Sequence, residues 1–426
     1  MKLRRAYKRN RLKCERVKYT VLGGEKDNGE YCTGYYTDGK TLAPGRGMAE
    51  YIYGGISTVQ RVEYFPIIDC VVIIRYDGSV YGWQDFRSGS SFRLLFSVRK
   101  FYPSVFEFYF ENKKPSAAIV SGDRMVIVQA STYTWKTIAY SVKGACWHMG
   151  RIFAVDTDED YVLRWSSTDI CDWTPSALGG GYIRLNPSRG ALHCVVTLGD
   201  KLLVYRERGI DVIKAFGDPR HFSVVPQSSG TVLEPLLETA CAVCGDKFYF
   251  CSADKVYCYD GNSVEQLKLP DCMKAKNYGK GKGFDGRYVH FSCESETYGV
   301  CMLELDVKMG RYSFFSPGKT LVWRMPFGFV SWDNFTVYAE SDEQSDVDFK
   351  WRSRRITPRG AGAKTLKKIY VESTGDVDIT VRSDGVERTF NGSGEIPVDM
   401  SGSDFVFELA GRCSINLLEG EWEVRT

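Results

Sequence analysis

DCVVIIRYDGSVYGW, residues 69–83, reads as two apolar runs separated by a polar turn. Asp77-Gly78 at its centre is a strong hairpin signal, because a tight two-residue turn needs backbone conformations that Asp and Gly tolerate. The same texture returns at RMVIVQASTYTW (124–135), RIFAVDTDEDYVLRW (151–165), KLLVYRERGIDVIKAF (201–216), KFYFCSADKVYCYDG (247–261), RYVHFSCESETYGVCMLELD (287–306) and FVSWDNFTVYAE (329–340). The seven starts lie on average about 43 residues apart, the length of a four-stranded propeller blade. A lone hairpin cannot bury both faces, so each sheet needs a neighbour on either side. A closed radial array supplies those neighbours and leaves only short edges. The pattern predicts an all-β chain built around a β-propeller of six to eight blades, about seven.

Composition points the same way. The 426 residues are 43% hydrophobic and 14% aromatic, a bias that suits pleated, half-buried surfaces. Forty-two glycines punctuate the apolar runs without a collagen-like period. Helical periodicity is scarce. Residues 231–245 come closest to it, but Pro235 and Gly245 interrupt them.

Outside the repeat the texture changes. Residues 1–60 lack the hairpin signature and read as an extended basic N-terminal arm with connecting segments. Residues 61–347 hold the propeller, and 348–364 read as a basic linker containing a proline and glycines. Residues 365–426 carry four further strand-like runs, enough for a small β-sandwich or barrel.

Net charge is only +3, but it is unevenly placed. The first 18 residues hold nine Lys and Arg against one acid, Glu15. Such a block either stays solvated or docks on an acidic partner. The candidate docking residues are Lys2, Arg4, Arg5, Lys8, Arg9, Arg11 and Lys13 in the arm, with Arg352, Arg354, Arg355 and Arg359 in the linker. Deleting residues 1–18 is expected to leave the propeller folded and to impair assembly.

No window reaches the ~18 apolar residues that span a bilayer, and the N-terminus lacks the apolar stretch of a secretory signal. Folding in a cytoplasm is therefore expected. Fourteen cysteines are about 3% of the chain, far below a disulfide scaffold, and most sit in apolar runs as small hydrophobes.

Few motifs carry chemistry. Cys241-x-x-Cys244 with Cys251 and Cys258 has an imperfect zinc-ribbon spacing and reads as buried thiols. The acidic run Asp156 to Asp160 lacks the glycine and terminal glutamate of a calcium loop and reads as a hairpin tip. GKGKGFDG (279–286) lacks phosphate-loop spacing and reads as an exposed loop. His148, His193, His221 and His290 are scattered, and no nucleophile elbow, Walker loop or zincin motif is present. No enzymatic activity, cofactor or metal is expected.

Three linked elements carry a resemblance. Trp165, Ser166, Asp172 and Trp173 form a "W-S … D … W" element. Arg206, Glu207, Gly209, Gly217, Asp218, Pro219 and Phe222 form an "R-E-x-G … G-D-P … F" element. Gly245, Asp246, Tyr249, Phe250, Tyr259 and Gly261 complete a "G-D-x-x-Y-F … Y-x-G" element. Together they resemble the tail nozzle or tail hub (packaged-DNA stabilisation) propellers of short-tailed bacteriophages over residues 65–345. That resemblance implies a structural virion protein, assembled in the host bacterial cytoplasm. It would form a homo-oligomeric ring, commonly a hexamer, below the portal or adaptor, touching other tail proteins. The ring would extend the DNA channel, help retain the packaged genome and pass DNA without sequence specificity. A receptor- or carbohydrate-binding propeller at a virion or cell surface is the alternative.

Overall fold

The computed structural model describes residues 14–425 apart from short stretches, of which 84–92 and 226–235 are the longest. The described residues are almost entirely strand, with three short 3-10 turns and no α-helix. None of the described residues forms a helix long and apolar enough to cross a membrane. The chain folds as two compact units, Met48–Val307 with Phe315–Ser341, and Met1–Gly47 with Lys308–Phe314 and Asp342–Thr426.

In the first unit, consecutive strands form one antiparallel meander after another. The first sheet contains Val59–Phe65, Cys70–Arg75, Ser79–Trp83 and Arg93–Ser97. The second contains Phe101–Phe110, Lys114–Ser121, Met125–Gln129 and Trp135–Ile138. The third runs from Val142–His148 to Gly181–Arg184, the fourth from Leu192–Leu198 to Ser223–Val225, and the fifth from Cys241–Cys244 to Val264–Gln266. Ala275–Phe284, Tyr288–Ser295 and Gly299–Asp306 follow in the same manner. In the last sheet Val322–Met325, Gly328–Asp333 and Thr336–Gln344 are completed by Arg46–Tyr53, from near the start of the chain.

Both faces of these sheets are buried, which explains the unbroken apolar runs. Ala117 and Ile119 pack back onto Val72 and Ile74 of the first sheet, while Ala118 and Val120 pack forward onto Ile152 and Ala154 of the third. Phe153 and Val155 of the third sheet then meet Leu202 and Val204 of the fourth. Leu203 and Tyr205 meet Phe248 and Phe250 of the fifth. Alternate residues of one strand thus serve two cores. Stacked four-stranded meanders whose last sheet, at Val322–Met325, lies against Val59–Phe65 of the first make a β-propeller.

The predicted hairpins are the second and third strands of their sheets, with one exception. Residues 124–135 are the third strand and the start of the fourth in the second sheet. That offset of one strand produces the uneven spacing near the front of the repeat. Of the near-helical stretch 231–245, residues 241–244 are strand, and most of 231–239 lies outside the described residues.

GKGKGFDG is not an exposed loop. Residues 279–284 belong to the strand Ala275–Phe284, and its glycines are required by close approach. A Cβ on Gly281 would sit 2.5 Å from the backbone oxygen of Cys241, and one on Gly283 would strike the oxygen of Val243. Alternation therefore puts hydrogen on the side facing the fifth sheet.

The second unit draws its main strands from residues 14–33 and 350–425. Cys14–Gly23 is a full strand paired along Ile415–Arg425, next to Lys364–Ser373 and Gly394–Gly402. A second sheet contains Gly29–Thr33, Lys350–Ser353, Val406–Ala410, Val377–Ser383 and Val386–Gly392. One core joins them, with Val21, Leu22, Phe349, Trp351, Leu366, Ile379, Phe407 and Trp422 all buried. The segment read as linker thus supplies an internal strand, because its Phe349 and Trp351 outweigh the surrounding charge. Residues 14–18 lie in the paired strand, so deleting 1–18 would remove part of this sheet. The arm residues 1–13 lie outside the described residues.

Gly281→Ala is expected to destabilise the propeller by about 2 kcal/mol, since the added methyl meets backbone that cannot rotate aside. Chemical denaturation of the two proteins measures it; equal midpoints would show that the two strands can part without cost.

Candidate functional site

The first strands of neighbouring sheets line the centre of the ring, and several charged residues meet there. Glu63, in Val59–Phe65, is only 3% exposed. Arg61 Nε lies 2.5 Å from Glu63 Oε1, and Lys282 from Ala275–Phe284 ion-pairs with the other carboxylate oxygen. That second bond joins positions 219 residues apart. Glu107 of Phe101–Phe110 accepts the backbone N–H of Ile67 at 2.7 Å. Burial alone would push the Glu63 carboxyl up, but Arg61 and Lys282 outweigh it and hold it below the usual range. Glu107 is raised, mainly by burial, with Glu63 adding to the effect.

The sequence reading missed this group. Its signal was an Arg and a Glu inside the apolar run VQRVEYF, where a buried acid requires cationic partners.

A second buried ionisable group lies in the third sheet. His148, at the end of Val142–His148, is buried against Phe153, and neither ring nitrogen has a hydrogen-bond partner among the described residues. Burial lowers its pKa, opposed by Asp200. The other described histidines sit elsewhere, with His290 bonded to Glu304 at 2.8 Å.

Of the predicted docking residues, the structure describes Arg352, Arg354, Arg355 and Arg359. Lys2, Arg4, Arg5, Lys8, Arg9, Arg11 and Lys13 lie outside the described residues. Arg352 pairs with Glu408 at 3.5 Å, and Arg354 donates to the carbonyls of Met309 and Gly310. Both make contacts within their own unit. Arg355 lies 3.6 Å from Asp404 with its side chain 75% exposed, and Arg359 is exposed. Lys367 and Lys368, which swell the basic cluster in sequence, bind Asp399 and Glu395 at 2.7 and 2.9 Å.

The cysteines of the fifth sheet point into cores or between sheets. Cys244, Cys251 and Cys258 are buried, and Cys241 is half-buried. Among the described residues no group of three or more His, Cys, Asp or Glu is placed to hold a metal ion. At the acidic tip, Asp156 accepts the backbone N–H of Asp158 at 2.8 Å and binds Arg164 at 2.5 Å. Arg184 takes Glu159 at 2.5 Å, and Lys143 takes Asp160 at 3.1 Å.

The elements that carry the family resemblance are parts of the sheets themselves. Trp165 packs edge-on against Phe222, with ring centroids 5.1 Å apart, and covers Gly181. Buried Arg206 binds Asp211 at 2.7 Å and the carbonyls of Asn186 and Gly190 at 2.6 and 2.7 Å. It thereby ties the connection between third and fourth sheets to a hairpin of the fourth. Asp218 caps the 3-10 turn Pro219–His221 through the N–H of Arg220 at 2.9 Å.

No known protein family matches the chain, and no curated protein does. Among solved structures, the β-propeller domain of Cps50 (Swd1) from Myceliophteria thermophila is similar at 12% identity and a TM-score of 0.43. The match covers 71% of this chain and 99% of that one.

Glu63 is ionised in the fold below the 4.5 of an unperturbed glutamate, so its stabilisation is complete above that pH and lost as pH falls through the folded value. Glu63→Gln is therefore expected to cost about 2 kcal/mol at neutral pH. This is less than for a fully buried pair, because 34% of the Lys282 side chain stays in water. The gap between the two proteins should narrow in acid; a gap that is constant in urea titrations across pH would refute the charge role. His148 behaves oppositely in position on the scale. Its folded pKa lies below 6.5, so protonation of the unfolded chain erodes stability as pH falls below that value. His148→Phe should flatten the stability profile between about pH 7 and pH 5; an unchanged slope would assign the loss to other groups.

Proposed function

We propose that this protein is a structural component of a tailed-phage virion. Copies of the chain form a nozzle or hub ring below the portal or adaptor, extend the DNA channel and help retain the genome. The observation that carries this reading is the resemblance of three sequence elements to that family. Trp165 with Trp173, Arg206 through Phe222, and Gly245 through Gly261 serve as sheet-building devices in three successive sheets.

Seven blades are proposed for the propeller, the last closed by Arg46–Tyr53. Zipping an early strand into the last sheet couples closure of the ring to both ends of its sequence, which suits a part that bears load. The pair Lys282–Glu63 bridges the first strands of the sixth and first sheets, across the last sheet and near the axis of a single propeller. DNA would therefore pass between copies, through the centre of an oligomeric ring closed by heterologous contacts. A near-neutral body, net +3, would not grip the passing phosphates.

Cryo-electron microscopy of the full chain, alone and with a portal-type neighbour, tests the proposal. Cyclic rings with a central channel wide enough for a duplex are expected, six-fold in the simplest case. Separate propellers or small trimers under every condition would overturn it and favour a receptor- or glycan-binding role.

A further inference from the structure

Two thiols from neighbouring sheets meet beside the inner wall of the propeller. Cys194 lies in Leu192–Leu198, the first strand of the fourth sheet, and Cys241 opens Cys241–Cys244, the first strand of the fifth. Their sulfur atoms are 3.8 Å apart across 47 residues of sequence. Cys194 is 4% exposed, whereas Cys241 is half-buried, so Cys241 is the more accessible residue of the pair. We propose that Cys194 and Cys241 form a redox modification site, at which a small-molecule disulfide oxidises them to a bond joining the fourth and fifth sheets.

The chemistry balances with that oxidant. The Cys241 thiolate attacks one sulfur of the small disulfide, forms a mixed disulfide and releases one small thiol. The Cys194 thiolate then attacks the Cys241 sulfur, and the second small thiol leaves. Two electrons pass from the cysteine pair to the oxidant, and the two protons given up by the cysteines end on the released thiols. Bonding draws the sulfurs from 3.8 Å to about 2.05 Å.

The backbones around the pair are held. A Cβ on Gly144 would lie 2.8 Å from the Cα of Cys194, and Gly281 abuts the carbonyl of Cys241. Competing thiols are worse placed. Cys293 and Cys301 face each other across adjacent strands with sulfurs 3.7 Å apart, but both are buried. Cys251 is fully buried, and burial pushes its thiol well up. Cys244 is buried and donates to the Tyr288 carbonyl at 3.4 Å. Access and proximity coincide at Cys194 and Cys241.

The seam concerned is otherwise closed by apolar packing, Leu203 and Tyr205 against Phe248 and Phe250. A covalent bond there constrains the unfolded chain and resists opening of the ring.

The test uses full-length reduced protein, titrated with oxidised glutathione under native conditions and alkylated before digestion without reductant. Mass spectrometry with fragmentation, needed to tell Cys241 from Cys244, is expected to find Cys194 bonded to Cys241 and two reactive thiols lost per chain. The melting temperature should rise and return on adding dithiothreitol. Cys244→Ser should keep both effects, and Cys241→Ser and Cys194→Ala should each abolish them. Using both variants guards against one of them failing to fold. Glutathione remaining on Cys241 without a bridge, a Cys293–Cys301 bond forming first, or no bridge at saturating oxidant would each overturn the proposal.

Discussion

Every sheet in the propeller has to bury two faces, and the rest of the structure depends on that. In a strand such as Lys114–Ser121, Ala117 and Ile119 belong to one core while Ala118 and Val120 belong to the next. No sheet can be removed without exposing apolar surface on both its neighbours. The demand propagates around the array and is met only when the last sheet lies against the first. Arg46–Tyr53 completes the last sheet, so an early strand is tied to residues 322–344.

Closure brings the first strands together, and their sequences record the crowding. Gly144, Gly281 and Gly283 stand where a side chain would collide with a neighbouring backbone. Where the strands leave room, charge enters the centre, and Glu63 stays ionised because Arg61 and Lys282 compensate for its lost hydration. The same crowding sets Cys194 against Cys241. Glycine, ion pair and thiol contact are three consequences of one close approach.

Much of the propeller was legible along the chain, since hairpins are local and their turns carry recognisable residues. Six of the seven hairpins fell on the central pair of a sheet. The exception, 124–135, arose because Lys114–Ser121 begins Lys-Pro-Ser and carries two alanines, a weak strand signal that hid the true second strand. The partners of the basic cluster were not legible, for a related reason. Arg352, Arg354, Lys367 and Lys368 look unpaired in sequence, but their partners Glu408, the 309–310 carbonyls, Asp399 and Glu395 lie tens of residues away. Glu63 and Lys282 are separated further still.

What the sequence determined by itself is the all-β character, the repeating hairpins, and the placement of most cysteines in apolar strands. Those properties follow from neighbours in the chain, through side-chain alternation and turn chemistry. Tertiary structure alone decided that Cys14–Gly23 pairs with Ile415–Arg425, that Trp351 is buried in a core strand, and that residues 279–283 belong to a strand packed on the fifth sheet. It also decided which charges are neutralised. Pairing of distant strands depends on which apolar faces remain to be covered once local structure has formed, and no short window of sequence contains that information.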